Sequence, residues 1–141
     1  IRACAKQGFD AVEFDNLDSY SRSGGRLDQG DALAFATLLL AEAGTVGLPS
    51  GQKNTAELGS LGRDEAGFTF AVTEECHRWD ECAAFTAVYA AGQVLGIEYA
   101  DDLRGPFAEA CTDPDRPGSL ILRDRMLTRP GADGYVFKSC P

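Results

Sequence analysis

Short apolar runs alternate with segments of helical periodicity along the first 112 residues of this chain. The apolar runs, each typical of a β-strand, are AVEF (11–14), GLPSG (47–51), FTFAV (68–72) and VLGIEY (94–99). The helical segments that separate and follow them are residues 28–43, 56–61, 80–92 and 101–111. Because strands that alternate with helices form βαβ units, this order predicts an α/β fold with about four parallel strands, either an open doubly wound sheet or half of a β/α barrel.

The helix boundaries can be predicted from capping residues. Asp28 or Asp31 is suited to begin the helix over residues 28–43, and Asp80 and Gly92 are suited to begin and end the helix over residues 80–92. Leucine and alanine recur at helical spacing in the first of these helices, at Leu33, Ala36, Leu40 and Ala43.

Two stretches are less regular. Pro49 argues against a central strand in GLPSG, because proline cannot donate to a β-ladder. After residue 112 the chain is rich in turn residues and contains one further apolar run, Leu120–Leu122. We therefore divide the sequence into βα units over residues 1–112 and a tail over residues 113–141.

Composition excludes several classes of function. The chain of 141 residues has a net charge of −9 and no basic stripe, which argues against a nucleic-acid partner. No run of about eighteen apolar residues could span a membrane. An acidic surface can attract a polycationic substrate, although solubility is the simpler interpretation of the charge.

The cysteines indicate an oxidising compartment. The five cysteines, Cys4, Cys76, Cys82, Cys111 and Cys140, lack the paired short spacings of a zinc site. With His77 as the single histidine, the sequence predicts no metal centre and no cofactor. We favour an exported protein with two disulfides and one odd cysteine over five buried free thiols.

Polar residues follow each predicted strand. They are Asp15-Asn16, Lys53-Asn54, Glu74-Glu75 and Glu98-Tyr99. In parallel α/β proteins the carboxyl ends of the strands form one rim, which carries the active site. Asp15 and Glu74 come from different strands and could supply the two carboxylates that glycoside hydrolysis needs. The alternative is that these acids cap the following helices or lie in solvent, and strand parity cannot choose between Glu74 and Glu75.

Four blocks in fixed order resemble a known family. GFDAVEFDNLDSY, GQKNTAEL, FTFAVTEECHRWDEC and VLGIEYAD together are similar to glycoside hydrolase family 114, the endo-α-1,4-polygalactosaminidase-like proteins. This resemblance implies a (β/α)₈ TIM barrel of which the chain would hold the last four strands, an apparent half-barrel whose first four strands lie outside residues 1–141.

The resemblance also implies roles for individual residues. Asp15 matches the family nucleophile and Glu74 the general acid/base, with an exchange of the two roles left open. The residues expected to bind substrate are Asn16, Asp18, Tyr20, Lys53, Asn54, Glu75, Glu98 and Tyr99. Among them, Asp18 and Glu98 could hold the ammonium group of galactosamine, and Lys53 could stabilise ionised Asp15.

Disulfides between Cys76 and Cys82 and between Cys111 and Cys140 fit this family. The first would fasten the loop after Glu74 and the second would tie down the tail. Cys4 would be left over, with a partner expected outside residues 1–141.

The resulting hypothesis is a secreted hydrolase acting on a cationic, galactosamine-rich polysaccharide with α-1,4 linkages. We expect a two-carboxylate, retaining mechanism, and we expect the half-barrel to be inactive on its own. The alternative is a non-catalytic half-barrel that binds carbohydrate or supports a fold. Trp79 is equally consistent with sugar stacking and with core packing, and the basic stretch 123–130 is interpreted as solvated surface.

Overall fold

The computed structural model describes all 141 residues and divides them into two compact units, residues 1–71 and 72–141. The first unit contains α1 (Arg2–Lys6), β1 (Val12–Phe14), α2 (Gln29–Thr45) and β2 (Ser50–Lys53). A strand at the boundary, β3 (Phe70–Glu74), begins in the first unit and ends in the second. The second unit continues with α3 (Cys76–Trp79), α4 (Cys82–Thr86), β4 (Val94–Tyr99), α5 (Phe107–Thr112), β5 (Ser119–Arg123) and β6 (Phe137–Ser139).

The first unit is built on the parallel pair β1–β2, which runs from Val12 opposite Ser50 to Phe14 opposite Gln52. Strand β2 covers residues 50–53, so the prediction of a strand over 47–51 is wrong by three residues at its start. Pro49 explains the shift, because it has no N–H for the ladder, while its carbonyl still accepts a hydrogen bond from the Val12 N–H at 3.0 Å.

Helix α2 begins where the sequence predicts. Asp28 caps the helix by accepting from the Asp31 N–H at 2.9 Å, and the Asp31 carboxylate accepts in return from the Asp28 N–H at 3.0 Å. This reciprocal capping box satisfies two backbone donors that a helix start otherwise leaves without partners. Leu33, Ala36 and Ala43 are buried, as the helical spacing predicts.

The core of the first unit contains an aromatic cluster over β2. Phe14 and Phe68 have ring centroids 6.5 Å apart, and Phe68 is almost fully buried. Gly51 in β2 lies directly under the Phe70 ring, because a Cβ at that position would lie 2.3 Å from a ring carbon. Glycine is therefore required here by a close approach in the middle of a strand.

The second unit orders its strands β3-β4-β5-β6. Strand β5 is parallel to β4, from Ser119 opposite Leu95 to Arg123 opposite Tyr99, and β6 is antiparallel to β5. The apolar run Leu120–Leu122 thus forms an additional parallel strand. The division of the chain predicted at residue 112 stays a prediction.

The helices after β3 differ from the sequence prediction. Helix α4 covers only Cys82–Thr86 instead of residues 80–92. Asp80 does not begin this helix but is the C-cap of α3, in a left-handed conformation with φ of 63°. Gly92 lies in a 3₁₀ turn that leads into β4. The disulfide Cys76–Cys82 joins the first residue of α3 to the first residue of α4.

A second disulfide, Cys111–Cys140, joins α5 to the residue after β6, and Cys4 is a free thiol. None of the helices combines the length and apolar character needed to cross a bilayer.

Candidate active site

In the first unit, Asp15 and Lys53 stand at the ends of the neighbouring strands β1 and β2. The Lys53 Nζ lies 3.8 Å from the Asp15 Oδ2. The Lys53 side chain is only 8% exposed, whereas the Asp15 side chain is 58% exposed. A carboxylate is therefore presented to solvent beside a buried cation, which stabilises negative charge there.

The turns after these strands use left-handed residues. Asn16 has φ of 58°, Asn54 has φ of 47° and Thr55 has φ of 61°. Asparagine tolerates this conformation better than most residues. The turn at Asn16 brings its N–H to the Asp15 Oδ1 at 2.7 Å, which fixes the carboxylate at the strand end.

A polar cavity of about 490 Å³ opens at these strand ends. Its lining residues are Asp15, Asn16, Asp18, Arg22, Lys53, Asn54, Thr55 and Glu57. Five of these were predicted, whereas Arg22, Thr55 and Glu57 were not. Tyr20 instead lines a mostly apolar cavity of about 530 Å³ that also includes Asp15 and Asn16.

Arg22 changes the expected role of Asp18. The guanidinium holds both oxygens of the Asp18 carboxylate, with Nη2 at 3.0 Å from Oδ1. This hydrogen bonding lowers the pKa of Asp18. An ammonium group would have to compete with Arg22 for this carboxylate, and Asp18 as the ammonium acceptor stays a prediction. The spacing of four residues between Asp18 and Arg22 was visible in the sequence and is the signal that was missed.

In the second unit, Glu74 and Tyr99 are the last residues of the neighbouring strands β3 and β4. The Tyr99 hydroxyl donates a hydrogen bond to the Glu74 Oε1. Burial, followed by the hydrogen bond to Glu74, raises the pKa of Tyr99 above its usual range. The phenol therefore keeps its proton and remains a donor throughout the physiological pH range.

Arg125 organises the other groups around Tyr99. Its Nη2 donates to the Glu75 Oε1 at 2.8 Å and its Nε to the Asp101 Oδ2 at 2.9 Å. The guanidinium carbon lies 4.5 Å from the centre of the Tyr99 ring, in cation–π geometry. The interpretation of residues 123–130 as solvated surface is therefore wrong for Arg125.

Glu74 and Glu75, which are neighbours in the sequence, have different partners. Glu75 is only 15% exposed, is paired with Arg125 and has φ of 61°. Glu74 accepts a hydrogen bond from the Tyr99 hydroxyl. Glu75 is thus engaged in an ion pair with Arg125, whereas Glu74 is the acid that meets the Tyr99 hydroxyl.

Glu98 is hydrogen-bonded within the second unit. It is completely buried, and its carboxylate accepts from the His77 N–H at 2.9 Å and the Arg78 N–H at 3.3 Å. Both donors are backbone N–H groups in the first turn of α3. The side chain of Glu98, which lies in β4, therefore caps the start of that helix. Burial raises the pKa of Glu98. In this structure its carboxylate serves the backbone of α3, and contact of Glu98 with the sugar stays a prediction.

Trp79 is 56% exposed, with the Arg78 guanidinium carbon 4.7 Å from its ring centre. The core-packing alternative for Trp79 is therefore wrong, and sugar stacking stays a prediction. No group of three or more His, Cys, Asp or Glu side chains is arranged to hold a metal ion.

Residues 1–141, the whole chain, match the sequence profile of glycoside-hydrolase family GH114. The chain belongs to family GH114. The resemblance of the four sequence blocks to this family is thereby confirmed.

The fold of this GH114 chain is similar to the crystal structure of Aspergillus fumigatus Ega3 in complex with galactosamine, with a TM-score of 0.73 and 24% sequence identity. The match covers 90% of this chain and 55% of Ega3, so the chain spans about half the length of that neighbour. No curated protein sequence matches the chain. The predicted α/β fold, a part of a TIM-barrel-like architecture, is confirmed.

Proposed function

We propose that the protein is a glycosidase that cleaves α-1,4-linked, galactosamine-containing polysaccharide. The observation that carries the proposal is the family match over the whole chain, together with the exposed Asp15 carboxylate beside the buried Lys53. The galactosamine bound to the structural neighbour Ega3 supports the choice of sugar.

In this proposal Asp15 is the nucleophile. A nucleophile in a glycosidase must be ionised when it attacks the anomeric carbon. The Lys53 Nζ lies 3.8 Å from the Asp15 carboxylate, and the Asn16 N–H donates to it at 2.7 Å. Asn16 and Asn54, in the same polar cavity, supply amide groups for sugar hydroxyls.

Glu74 is the proposed general acid/base. This residue must carry a proton in one step and release it in the next. The Tyr99 hydroxyl suits both states, because a hydroxyl can donate to a carboxylate or accept from a carboxylic acid. Two disulfides are expected of an exported protein, so we propose an extracellular location.

The experiment is hydrolysis of partially deacetylated α-1,4-galactosamine polymer by the oxidised, purified product of the complete open reading frame, because residues 1–141 alone are expected to be inactive. We expect Asp15→Asn and Glu74→Gln each to lower kcat by a factor of about 10² to 10⁴, the usual contribution of such groups. Asp10→Asn and Glu81→Gln are matched controls, because both are exposed acids in the same two units. NMR of the first product should show a retained anomer.

A full-length wild-type protein that folds but is inert would contradict the proposal and favour carbohydrate binding without catalysis. An inverted product would leave the glycosidase intact and refute the nucleophilic role of Asp15. Equal losses in Glu75→Gln and Glu74→Gln would refute the assignment of the acid/base to Glu74 alone.

A further inference from the structure

The charges that line the polar cavity of the first unit do not balance. Three carboxylates, those of Asp15, Asp18 and Glu57, stand against two cations, Arg22 and Lys53. Lys53 pairs with Asp15 and Arg22 pairs with Asp18. Glu57 is the lining carboxylate that has no cationic partner, and it gives the cavity an excess negative charge at one defined place.

The backbone holds Glu57 in a fixed position. It is the central residue of a 3₁₀ turn, Ala56–Leu58, which is entered through left-handed Thr55 and left through Gly59 with φ of 53°. Leu58 is 3% exposed and anchors the turn in the core of the unit. The Gln29 Nε2, in the first turn of α2, donates to the Glu57 carbonyl at 3.3 Å.

The Glu57 side chain has one neutral partner. The Tyr20 hydroxyl donates to the Glu57 Oε1 at 3.4 Å, a long and weak bond. Burial and the negative charge of Glu57 raise the pKa of Tyr20, so its hydroxyl stays protonated. The second oxygen of the carboxylate remains for a ligand, and the side chain lies at the surface.

We propose that Glu57 binds the ammonium group of a galactosamine unit and thereby sets a preference for the free amino sugar. Asp18 cannot do this without displacing Arg22, and Glu98 is buried in contacts to α3. A charge-assisted hydrogen bond from an ammonium to Glu57 replaces water at an exposed site. An N-acetyl group is neutral and therefore forms no ion pair with the Glu57 carboxylate.

Binding of the ammonium group concerns the same sugar as the proposed function but does not depend on catalysis. The test therefore uses ligands that cannot be hydrolysed. The probes are the monosaccharides galactosamine, N-acetylgalactosamine and galactose, titrated into purified protein and followed by NMR. At about pH 6 the amine is protonated. We expect wild type to bind galactosamine about fivefold more tightly than galactose, the size of one exposed ion pair.

Glu57→Gln should reduce this preference to within twofold while leaving the binding of galactose unchanged. Glu65→Gln is the matched control, since it removes the same charge from an exposed glutamate of the same unit that does not line the cavity. The control should keep the wild-type preference. Added salt should weaken the preference in wild type, as screening requires.

A preference that survives in Glu57→Gln would overturn the inference, and so would a wild type that does not favour galactosamine. Failure of the proposed function has a different signature, since the polymer would stay intact while the monosaccharide preference and its dependence on Glu57 remained. Polymer cleavage with no role for Glu57 in binding would refute the inference alone.

Discussion

The two units support their candidate carboxylates in different ways. In residues 1–71, Asp15 is largely exposed and its main partner is the buried cation of Lys53. In residues 72–141, Glu74 accepts from the buried phenol of Tyr99, which is itself covered by Arg125. Asp15 thus lies beside a buried cation, and Glu74 accepts from a hydroxyl that belongs to a network of side chains.

The difference suits the two roles proposed for these acids. A nearby cation favours the charged form of a carboxylate, and a nucleophile needs only that form. A neutral hydroxyl can hydrogen-bond both the charged and the protonated form, and an acid/base residue passes through both. Because the pKa of Tyr99 is raised, the phenol does not ionise in place of its partner.

The units also differ in covalent support, and this contrast predicts the largest effect. Both disulfides lie in residues 72–141, with loop separations of 29 residues for Cys111–Cys140 and 6 for Cys76–Cys82. On the chain-entropy model, replacing the first pair by serine should cost about 3–4 kcal/mol and the second about 2–3 kcal/mol. Urea unfolding under non-oxidising conditions measures both losses.

Hydrogen exchange shows whether the loss is confined to the cross-linked unit. Amides in α2, which lies in the other unit, should keep their protection when Cys111 and Cys140 are replaced. An equal loss of protection in α2 would refute the independence of the two units in stability.

Glu98 provides the next largest effect, again in the second unit. Glu98→Ala would leave the buried N–H groups of His77 and Arg78 without their acceptor. Two unmade buried hydrogen bonds should lower the free energy of unfolding by about 2–4 kcal/mol. Glu98→Gln keeps an acceptor and should cost less than half of this.

The pH dependence of Glu98→Gln has a definite sign. Burial raises the folded-state pKa of Glu98 above its unfolded value, so the stability contributed by its protonation is present in acid and lost as pH rises through the folded pKa. Glutamine does not titrate. The stability of Glu98→Gln relative to wild type should therefore rise as the pH increases above the unfolded pKa of about 4.3, and a fall would show that the folded state favours the ionised form.

Local signals in the sequence were enough to predict part of the site. Asp28 and Asp31 follow a capping rule that acts within four residues, so the start of α2 was predictable. The grouping of Asp15 with Lys53 followed from parallel strands alone, because neighbouring strand ends share an edge. These predictions needed no knowledge of distant contacts.

Contacts between residues distant in sequence explain what the sequence did not reveal. The family resemblance predicted Glu98 as a substrate-binding residue, but the backbone donors of α3, about twenty residues earlier in the sequence, hydrogen-bond its carboxylate. Strand β5 is a short apolar run after a turn-rich segment, and only its pairing with β4 defines it. Without β5 as a strand, Arg125 could not be predicted near Tyr99.

Replacement of Arg125 should have the smallest of the three predicted effects. It tests the network of side chains around Tyr99 in the second unit. Its guanidinium holds Glu75 and lies over the Tyr99 ring, so it positions the phenol that donates to Glu74. We expect Arg125→Met to lower kcat/KM by about tenfold, or about 1.4 kcal/mol in transition-state stabilisation, with most of the change in kcat.

The matched control for Arg125 is Arg104→Met, since Arg104 also makes a surface ion pair in this unit, with Asp80 at 3.0 Å, and does not contact Tyr99. Arg104→Met should change kcat/KM by less than twofold. A positioning role also predicts an altered pH–rate profile, because loss of the cation disfavours ionised carboxylates nearby. If both arginine variants lose activity equally, with an unchanged pH profile, the contribution of Arg125 is general stability, and the neutral support of Glu74 by Tyr99 does not depend on it.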